Sequence, residues 1–178
     1  MIDLSRKNYK ALAYLVIFAR IVLPLFIWVD PFIMPILFQL FDAFDYALIM
    51  NANLMNKSSY QRLDKFLDFY YLFIMFLVSI YCGNIILIGF FIYRPVGFLL
   101  VLITQKRIFF VFFNNTFEWM FNIFSFGYVY SQSFLDSVNE NVLPILLIVF
   151  LLKMFPELYI HYFNKDSLFF LSGVIKKK

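Results

Sequence analysis

Four aspartates flank one short polar turn in an otherwise apolar chain, and their spacing suits them to bind a cation. The first pair is Asp42 and Asp45, three residues apart, and the second pair is Asp64 and Asp68, four residues apart. On helices, each spacing places both carboxylates on one face, and the turn would fold the two faces together. Converging carboxylates repel one another unless they are protonated or neutralised. The pattern therefore predicts a site for a hard divalent cation, Mg²⁺ or Mn²⁺.

The four aspartates have a second interpretation. They would be carboxylates solvated at a membrane surface, with Asp64 paired to Arg62 or Lys65. Two same-face pairs around one turn favour the cation site, because ionisable groups at membrane depth usually mark a site or a pathway.

Cys82 is the only cysteine and His161 the only histidine. An internal disulfide, a cysteine cage and a histidine-rich metal site are therefore excluded, and His161 is assigned no role.

The composition predicts an all-α integral membrane protein. Of 178 residues, 63% are hydrophobic and only 15% are charged, which is too apolar for a soluble domain of this length. A spanning helix needs about 20 mostly apolar residues, so we expect one polytopic transmembrane domain over residues 1 to 178. No small-residue cleavage site follows the basic start, so the first apolar run is interpreted as a retained span. The predicted bundle has six spans, near residues 11 to 30, 31 to 50, 67 to 82, 85 to 105, 108 to 130 and 141 to 160.

The basic residues predict the orientation of the bundle. Twelve of the 15 Lys and Arg side chains fall in the N-terminal segment 1 to 10, the turn at 51 to 65, the pair Lys106 and Arg107, and the tail, residues 161 to 178. The positive-inside rule then predicts that both termini and the four aspartates face the cytoplasm. We expect an inner (cell) membrane of bacterial type, membrane lipids as partners and no nucleic acid.

The spacing of the acids resembles the CDP-alcohol phosphatidyltransferase family. That family's pattern consists of D-x-x-D-G-x-x-A-R, then eight residues, then G-x-x-x-D-x-x-x-D. All four acids of the pattern are present in this chain. The second half of the pattern begins one residue later here than in the family. FARIVLPLF at 18 to 26 is similar to the family's arginine-bearing first span, and IYRPVGF at 92 to 98 is similar to its fourth-span arginine segment. The similarity covers about the first 105 residues.

The chain departs from that pattern at four positions. The glycines are replaced by Tyr46 and Tyr60, and the alanine and arginine by Ile49 and Met50. Glycine lets a ligand come close to the backbone, so a nucleotide in this chain would meet side chains at these positions. Three outcomes stay open: the nucleotide lies differently, the substrate is different, or activity is lost.

The resemblance implies a metal-dependent phosphotransferase of phospholipid biosynthesis. It would move a phosphatidyl or alcohol-phosphate group from CDP-diacylglycerol, or another CDP-alcohol, to an alcohol acceptor and release CMP. The resemblance implies that the four aspartates bind Mg²⁺ or Mn²⁺ and that Asp68 acts as the general base. It also implies a homodimer. Neither the donor nor the acceptor is chosen by the sequence.

Three further charged side chains and one polar patch fall inside the predicted spans. Arg20 and Arg94 are expected to bind substrate phosphate; alternatively each is ion-paired with Glu118 or an aspartate, or snorkels to the surface. Lys153 is expected to snorkel. The patch consists of Asn114, Asn115 and Glu118. It would either line a headgroup pocket or form hydrogen bonds between helices.

Two other functions remain as alternatives. One is a small membrane transport protein that uses the intramembrane acids as an ion site. The other is a non-catalytic relative that keeps the fold as a membrane partner, and its best support comes from Tyr46, Ile49 and Met50. A transport pathway should place acids at the midplane and at both surfaces, whereas these four aspartates gather at one surface.

Overall fold

The computed structural model describes residues 6 to 104 and 108 to 161, and the chain is helical throughout these ranges apart from short turns. The predicted all-α class is confirmed for this part of the chain. Predictions about residues 1 to 5, about Lys106 and Arg107, and about residues 162 to 178 lie outside it. The helices are α1 (Arg6–Val22), α2 (Ile33–Asn51), α3 (Lys57–Tyr81), α4 (Ile85–Thr104), α5 (Phe109–Phe112), α6 (Thr116–Tyr130), α7 (Gln132–Glu140) and α8 (Val142–His161), with a 3₁₀ helix at Leu23–Trp28.

Two helical stretches of the described chain are long and apolar enough to cross a membrane. They are Asn8–Trp28, which combines most of α1 with the 3₁₀ helix, and Ile33–Asn51. A third candidate arises if α7 and the first part of α8, which meet at 86°, count as one broken span. Large apolar side chains face outward along the bundle, including Phe18, Ile85 and Leu143. Such an apolar exterior fits a protein that contacts lipid rather than water.

Helix α3 begins at Lys57, well before the predicted start at residue 67, and is 25 residues long. The residue before it, Asn56, has extended backbone and accepts a hydrogen bond from the Ser59 N–H at 2.8 Å through Oδ1. This N-cap satisfies one of the free donors of the first turn. The polar turn is therefore only residues 52 to 56, with Asn53 in the left-handed region (φ 49°), and the second aspartate pair lies on helix.

The stretch predicted as one span over residues 108 to 130 is interrupted at residues 113 to 115. The Asn114 amide accepts a hydrogen bond from the Thr116 hydroxyl and donates one, at 3.1 Å, to the Phe150 carbonyl of α8. Asparagine side chains that bond nearby backbone or side chains compete with helix formation. Asn114 thus provides the expected bond between helices, and it also breaks the chain into α5 and α6.

Two apolar clusters position the aspartates. The larger cluster joins α2, α3, α4 and α6 and includes Phe38, whose ring stacks on Tyr71 with centroids 4.0 Å apart. The smaller cluster lies beneath the turn between α2 and α3 and includes the fully buried Ile49. On α2, Asp45 falls between these two anchors, seven residues after Phe38 and four before Ile49. The same helix face that enters the core therefore carries a carboxylate into it.

Candidate functional site

The structure brings the four predicted acids to one place. Helices α2 and α3 are joined by five residues, so their adjacent ends lie side by side, and the pairs Asp42/Asp45 and Asp64/Asp68 face each other. A single side chain, Arg20, contacts all four. The convergence predicted from the spacing is therefore observed, with a cation from α1 at its centre.

Arg20 is completely buried and forms ion pairs with each aspartate. Its Nη2 lies 2.7 Å from Asp42 and 2.8 Å from Asp68, and its Nη1 lies 3.2 Å from Asp64 and also contacts Asp45. Of the alternatives for this residue, the ion pair with aspartate is the one observed. A guanidinium suits this position because its planar fork carries several donors in fixed directions.

Asp45 is the most enclosed of the four acids, and both of its oxygens have partners. The Tyr60 hydroxyl donates to Oδ1 at 2.5 Å, while Arg20 bonds Oδ2. The same hydroxyl lies 3.4 Å from Asp64, and the Tyr46 ring packs edge to face on the Tyr60 ring at 5.1 Å. Tyr60, which stands where the family pattern has a glycine, thus donates a hydrogen bond directly to Asp45. The sequence alone does not predict this role.

The four departures from the family pattern pack in one place. Ile49 and Tyr60 are buried members of the smaller cluster, and Tyr46 and Met50 pack against them. Side chains therefore fill the space beside the turn, where glycine would have left the backbone open to a ligand. The acids are therefore not open to a ligand from the side of the turn.

Three of the acids are placed to share a metal ion. Asp42, Asp64 and Asp68 each offer one carboxylate oxygen, and these oxygens all lie within 4.8 Å of one another. Asp45 is not part of this triad. Lys65, which residue spacing suggested as a partner of Asp64, lies with its Nζ 3.2 Å from both Asp64 and Asp68.

The charges and donor atoms of this cluster fit a hard divalent cation. When ionised, the four carboxylates face two basic side chains, Arg20 and Lys65, which leaves two formal negative charges. Carboxylate oxygens are the ligands that Mg²⁺ and Mn²⁺ prefer, and Mg²⁺ keeps several of its waters. Asp42 and Asp68 are the more exposed members, with 42% and 34% of their side chains accessible. A cation with bound water therefore has access from their side.

A cavity of about 530 Å³ opens on that side of the cluster. Asp42 and Asp68 form one wall, and Arg94 and Asn115 contribute polar groups from α4 and from the start of α6. Arg94 donates to the Phe113 carbonyl at 2.6 Å, which fixes its position at the edge of this space. The aromatic remainder of the lining comes from Phe38, Phe69, Tyr71, Phe91 and Phe117.

Glu118 also lines the cavity and is held by two polar neighbours. Asn115 Nδ2 donates to Glu118 Oε2 at 3.1 Å, and Lys153 of α8 lies 3.3 Å from the same oxygen. Lys153 also lies over the Trp119 ring, 5.0 Å from its centroid. The prediction that Lys153 snorkels is therefore wrong, because an ion pair and a cation–π contact hold it inside the bundle. Of the predicted polar patch, Asn115 and Glu118 line the cavity, whereas Asn114 does not.

Comparisons with known proteins provide no further identification. No protein-family model matches the chain, and no curated protein or solved structure shows a significant match. The resemblance drawn from the acid spacing therefore enters the functional assignment only as a proposal.

Proposed function

We propose that this protein is a metal-dependent membrane phosphotransferase of the CDP-alcohol phosphatidyltransferase kind. It would transfer a phosphatidyl or alcohol-phosphate group from a CDP-linked donor to an alcohol, with release of CMP. The observation that carries this proposal is the triad of Asp42, Asp64 and Asp68, whose oxygens lie within 4.8 Å of one another at the edge of a cavity that also contains Arg94.

In this proposal the triad holds Mg²⁺ or Mn²⁺. When bound, the cation would neutralise negative charge on the diphosphate of the donor. Asp45 would not be a metal ligand; it bonds Arg20, which in turn contacts the three carboxylates that would hold the cation. Arg94 binds a substrate phosphate from the cavity edge, since a guanidinium matches phosphate oxygens.

Asp68 serves as the general base. Its carboxylate accepts the proton of the acceptor hydroxyl while that oxygen forms a bond to the phosphorus of the transferred group. The bond between this phosphorus and the CMP oxygen breaks, and CMP leaves with the bonding electrons. Asp68 then returns its proton to solvent through the open side of the cavity.

The proposed membrane arrangement has six crossings. They are α1 with the 3₁₀ helix, α2, α3, α4, the interrupted pair α5 and α6, and α8, while the short amphipathic helix α7 lies along the opposite surface. Both termini and the acid cluster then face the cytoplasm of a bacterial-type inner membrane, consistent with the basic residues Lys57, Arg62 and Lys65 in the first turns of α3. The family resemblance further implies that the protein forms a homodimer.

The test is CMP release by purified protein in lipid vesicles with Mg²⁺ or Mn²⁺. CDP-diacylglycerol is offered with glycerol 3-phosphate, inositol phosphate or serine, and CDP-alcohols are offered with diacylglycerol. We expect release with at least one pair and its loss in Asp68→Asn. Asp136→Asn, at an exposed position of α7, is the matched control and should keep full activity. Absence of CMP with every pair would rule out the transferase.

Arg20 supports a second candidate, a non-catalytic relative. Its guanidinium bonds all four acids at the position that a cation would share, and side chains fill the space beside the turn. In that case Arg20 is the permanent counter-ion of the cluster. Electron paramagnetic resonance of Mn²⁺ separates the two candidates: a transferase binds Mn²⁺ and loses it in Asp42→Asn, whereas the relative binds none.

A further inference from the structure

Lys65 is the second cation of the acid cluster, and it contacts different oxygens from those that Arg20 contacts. Arg20 lies against Oδ1 of both Asp64 and Asp68. The Lys65 Nζ lies 3.2 Å from Oδ2 of each of these two residues. Both carboxylate oxygens of Asp64 and of Asp68 therefore already have a basic partner. A metal ion that takes an oxygen from each acid must approach one of the two basic side chains.

The distance between such an ion and the basic group would be short. Mg²⁺ binds oxygen ligands at about 2.1 Å, so an ion on Oδ2 of Asp64 or Asp68 would lie at most about 5.3 Å from the Lys65 Nζ. Two cations at this distance repel each other. The same repulsion acts between the Arg20 guanidinium and an ion on the Oδ1 atoms. The ion is therefore bound best when one of the two basic groups moves away.

Burial decides which basic group moves. Arg20 is completely buried, it also bonds the enclosed Asp45, and its guanidinium lies 5.1 Å from the centre of the Phe38 ring. Its departure would leave buried negative charge uncompensated. The Lys65 side chain is 77% accessible and lines the cavity beside the acids. Its flexible stem can carry the ammonium into water, and an exposed ion pair contributes little to stability.

We propose that Lys65 is the exchangeable counter-ion of the acid cluster. Its ammonium holds Asp64 and Asp68 together before a divalent cation binds, and it moves toward water when the cation takes its place, while Arg20 stays. The cation itself rests on the proposed function. Lys65 is thus a positioning residue that sets the affinity of the metal site, and it takes no part in the reaction.

The experiment measures how tightly Mn²⁺ binds to variants of Lys65. Mn²⁺ is titrated into purified protein in detergent without any CDP donor, and electron paramagnetic resonance reports the concentration of the free ion. Lys65→Gln removes the competing ammonium, so we expect it to bind Mn²⁺ about tenfold more tightly than the unmodified protein, equivalent to ~1.4 kcal/mol. Lys65→Met, which keeps an apolar stem, should show the same gain. Loss of a side chain with a merely structural role would weaken binding instead.

The matched control is Arg62→Gln. Arg62 lies three residues before Lys65 on α3, at an exposed position. Its replacement removes one positive charge from the same helix but none of the described partners of Asp64 or Asp68. At about 0.15 M salt the Debye length is about 8 Å, so the loss of a distant surface charge should change the Mn²⁺ affinity by about twofold or less.

Unchanged or weaker Mn²⁺ binding in both Lys65 variants, an equal gain in Arg62→Gln, or no Mn²⁺ binding by any of these proteins would overturn the proposal. Because no CDP donor is present, the result is separate from the test of catalysis. CMP release with an unchanged Mn²⁺ affinity in the Lys65 variants keeps the transferase and removes the role of Lys65. Tighter Mn²⁺ binding in these variants without CMP release keeps the exchange and removes the transferase.

Discussion

The Tyr60 hydroxyl lies 2.5 Å from Oδ1 of Asp45, and this bond ties α3 to α2 beneath the acid cluster. Both side chains are buried. The bond satisfies one oxygen of a carboxylate that has no access to water, and Arg20 satisfies the other. A residue that departs from the family pattern is thereby part of the support of the site.

Tyr60→Phe should destabilise the protein. The substitution keeps the ring but leaves a buried carboxylate oxygen without its donor, which costs about 1–3 kcal/mol. Thermal unfolding in detergent, followed by circular dichroism, measures the change as a lower Tm. Tyr81→Phe, at an exposed position at the end of α3, is the control and should leave Tm unchanged. Equal Tm values for both variants would mean that the bond contributes nothing.

Arg20→Gln should be more damaging than Tyr60→Phe. Removal of one partner from a buried ion pair typically costs about 3–5 kcal/mol, because the remaining charges are left uncompensated. Arg20→Lys should give an intermediate loss, since an ammonium cannot reproduce the fork that reaches four carboxylates. Arg62→Gln, at an exposed position of α3, is the matched control and should have little effect on Tm.

Millimolar Mg²⁺ should partly restore the stability of Arg20→Gln. A cation that binds only the folded state raises stability with its concentration, by about 2.7 kcal/mol at one hundred times the dissociation constant. The measurement is the Tm of the variant with and without Mg²⁺, with Na⁺ at matched ionic strength as the control. Identical Tm values in the two salts would contradict a divalent-cation site at these acids.

Gly127→Ala should destabilise the contact between α6 and α7. A Cβ at this position would lie 2.8 Å from the Leu135 Cβ and 2.9 Å from its Cα, so the α7 backbone would have to move. Overpacking of this kind costs about 1–3 kcal/mol. At Gly89 of α4 an added Cβ meets nothing within 4 Å. Gly89→Ala should therefore keep or raise Tm. A similar fall in Tm for both variants would show that the loss of glycine destabilises the protein for a reason other than the contact with Leu135.

The stability contributed by Asp30 should depend on pH. Burial tends to raise the pKa of this carboxyl, but hydrogen bonds from the Ile33 and Phe32 N–H groups, at 2.8 and 3.0 Å, and from Tyr130 outweigh it, so the pKa is lower than its ordinary value of 3.8. Because the folded-state pKa is depressed, the contribution is present above about pH 3.8 and is lost as the pH falls further.

Asp30→Asn should therefore lower Tm at pH 7, and the difference from the unmodified protein should shrink at pH 3. Tyr130→Phe removes one of the three hydrogen bonds and should show a smaller difference with the same direction. A Tm difference for Asp30→Asn that is independent of pH would show that the ionised carboxylate is not what stabilises the start of α2.

The helical class and the meeting of the aspartates were predictable from residue order. Apolar runs of about 20 residues specify helices in lipid, and spacings of three and four specify a shared face. The predicted start of α3 at residue 67 is too late, because residue type alone does not distinguish a cap such as Asn56 from a turn residue. The break before α6 was missed because the Asn114 bond to Phe150 joins residues far apart in the chain.

The sequence by itself determined that the chain is apolar and helical, and that two pairs of acids lie on either side of one turn, because composition and local periodicity are properties of neighbouring residues. Only the tertiary structure decided which side chains pair with those acids and with Glu118. Arg20 comes from α1 and Tyr60 from α3, and Lys153 reaches Glu118 from α8. Such pairings depend on how helices pack, since a buried charge takes whichever partner the fold brings within hydrogen-bond distance.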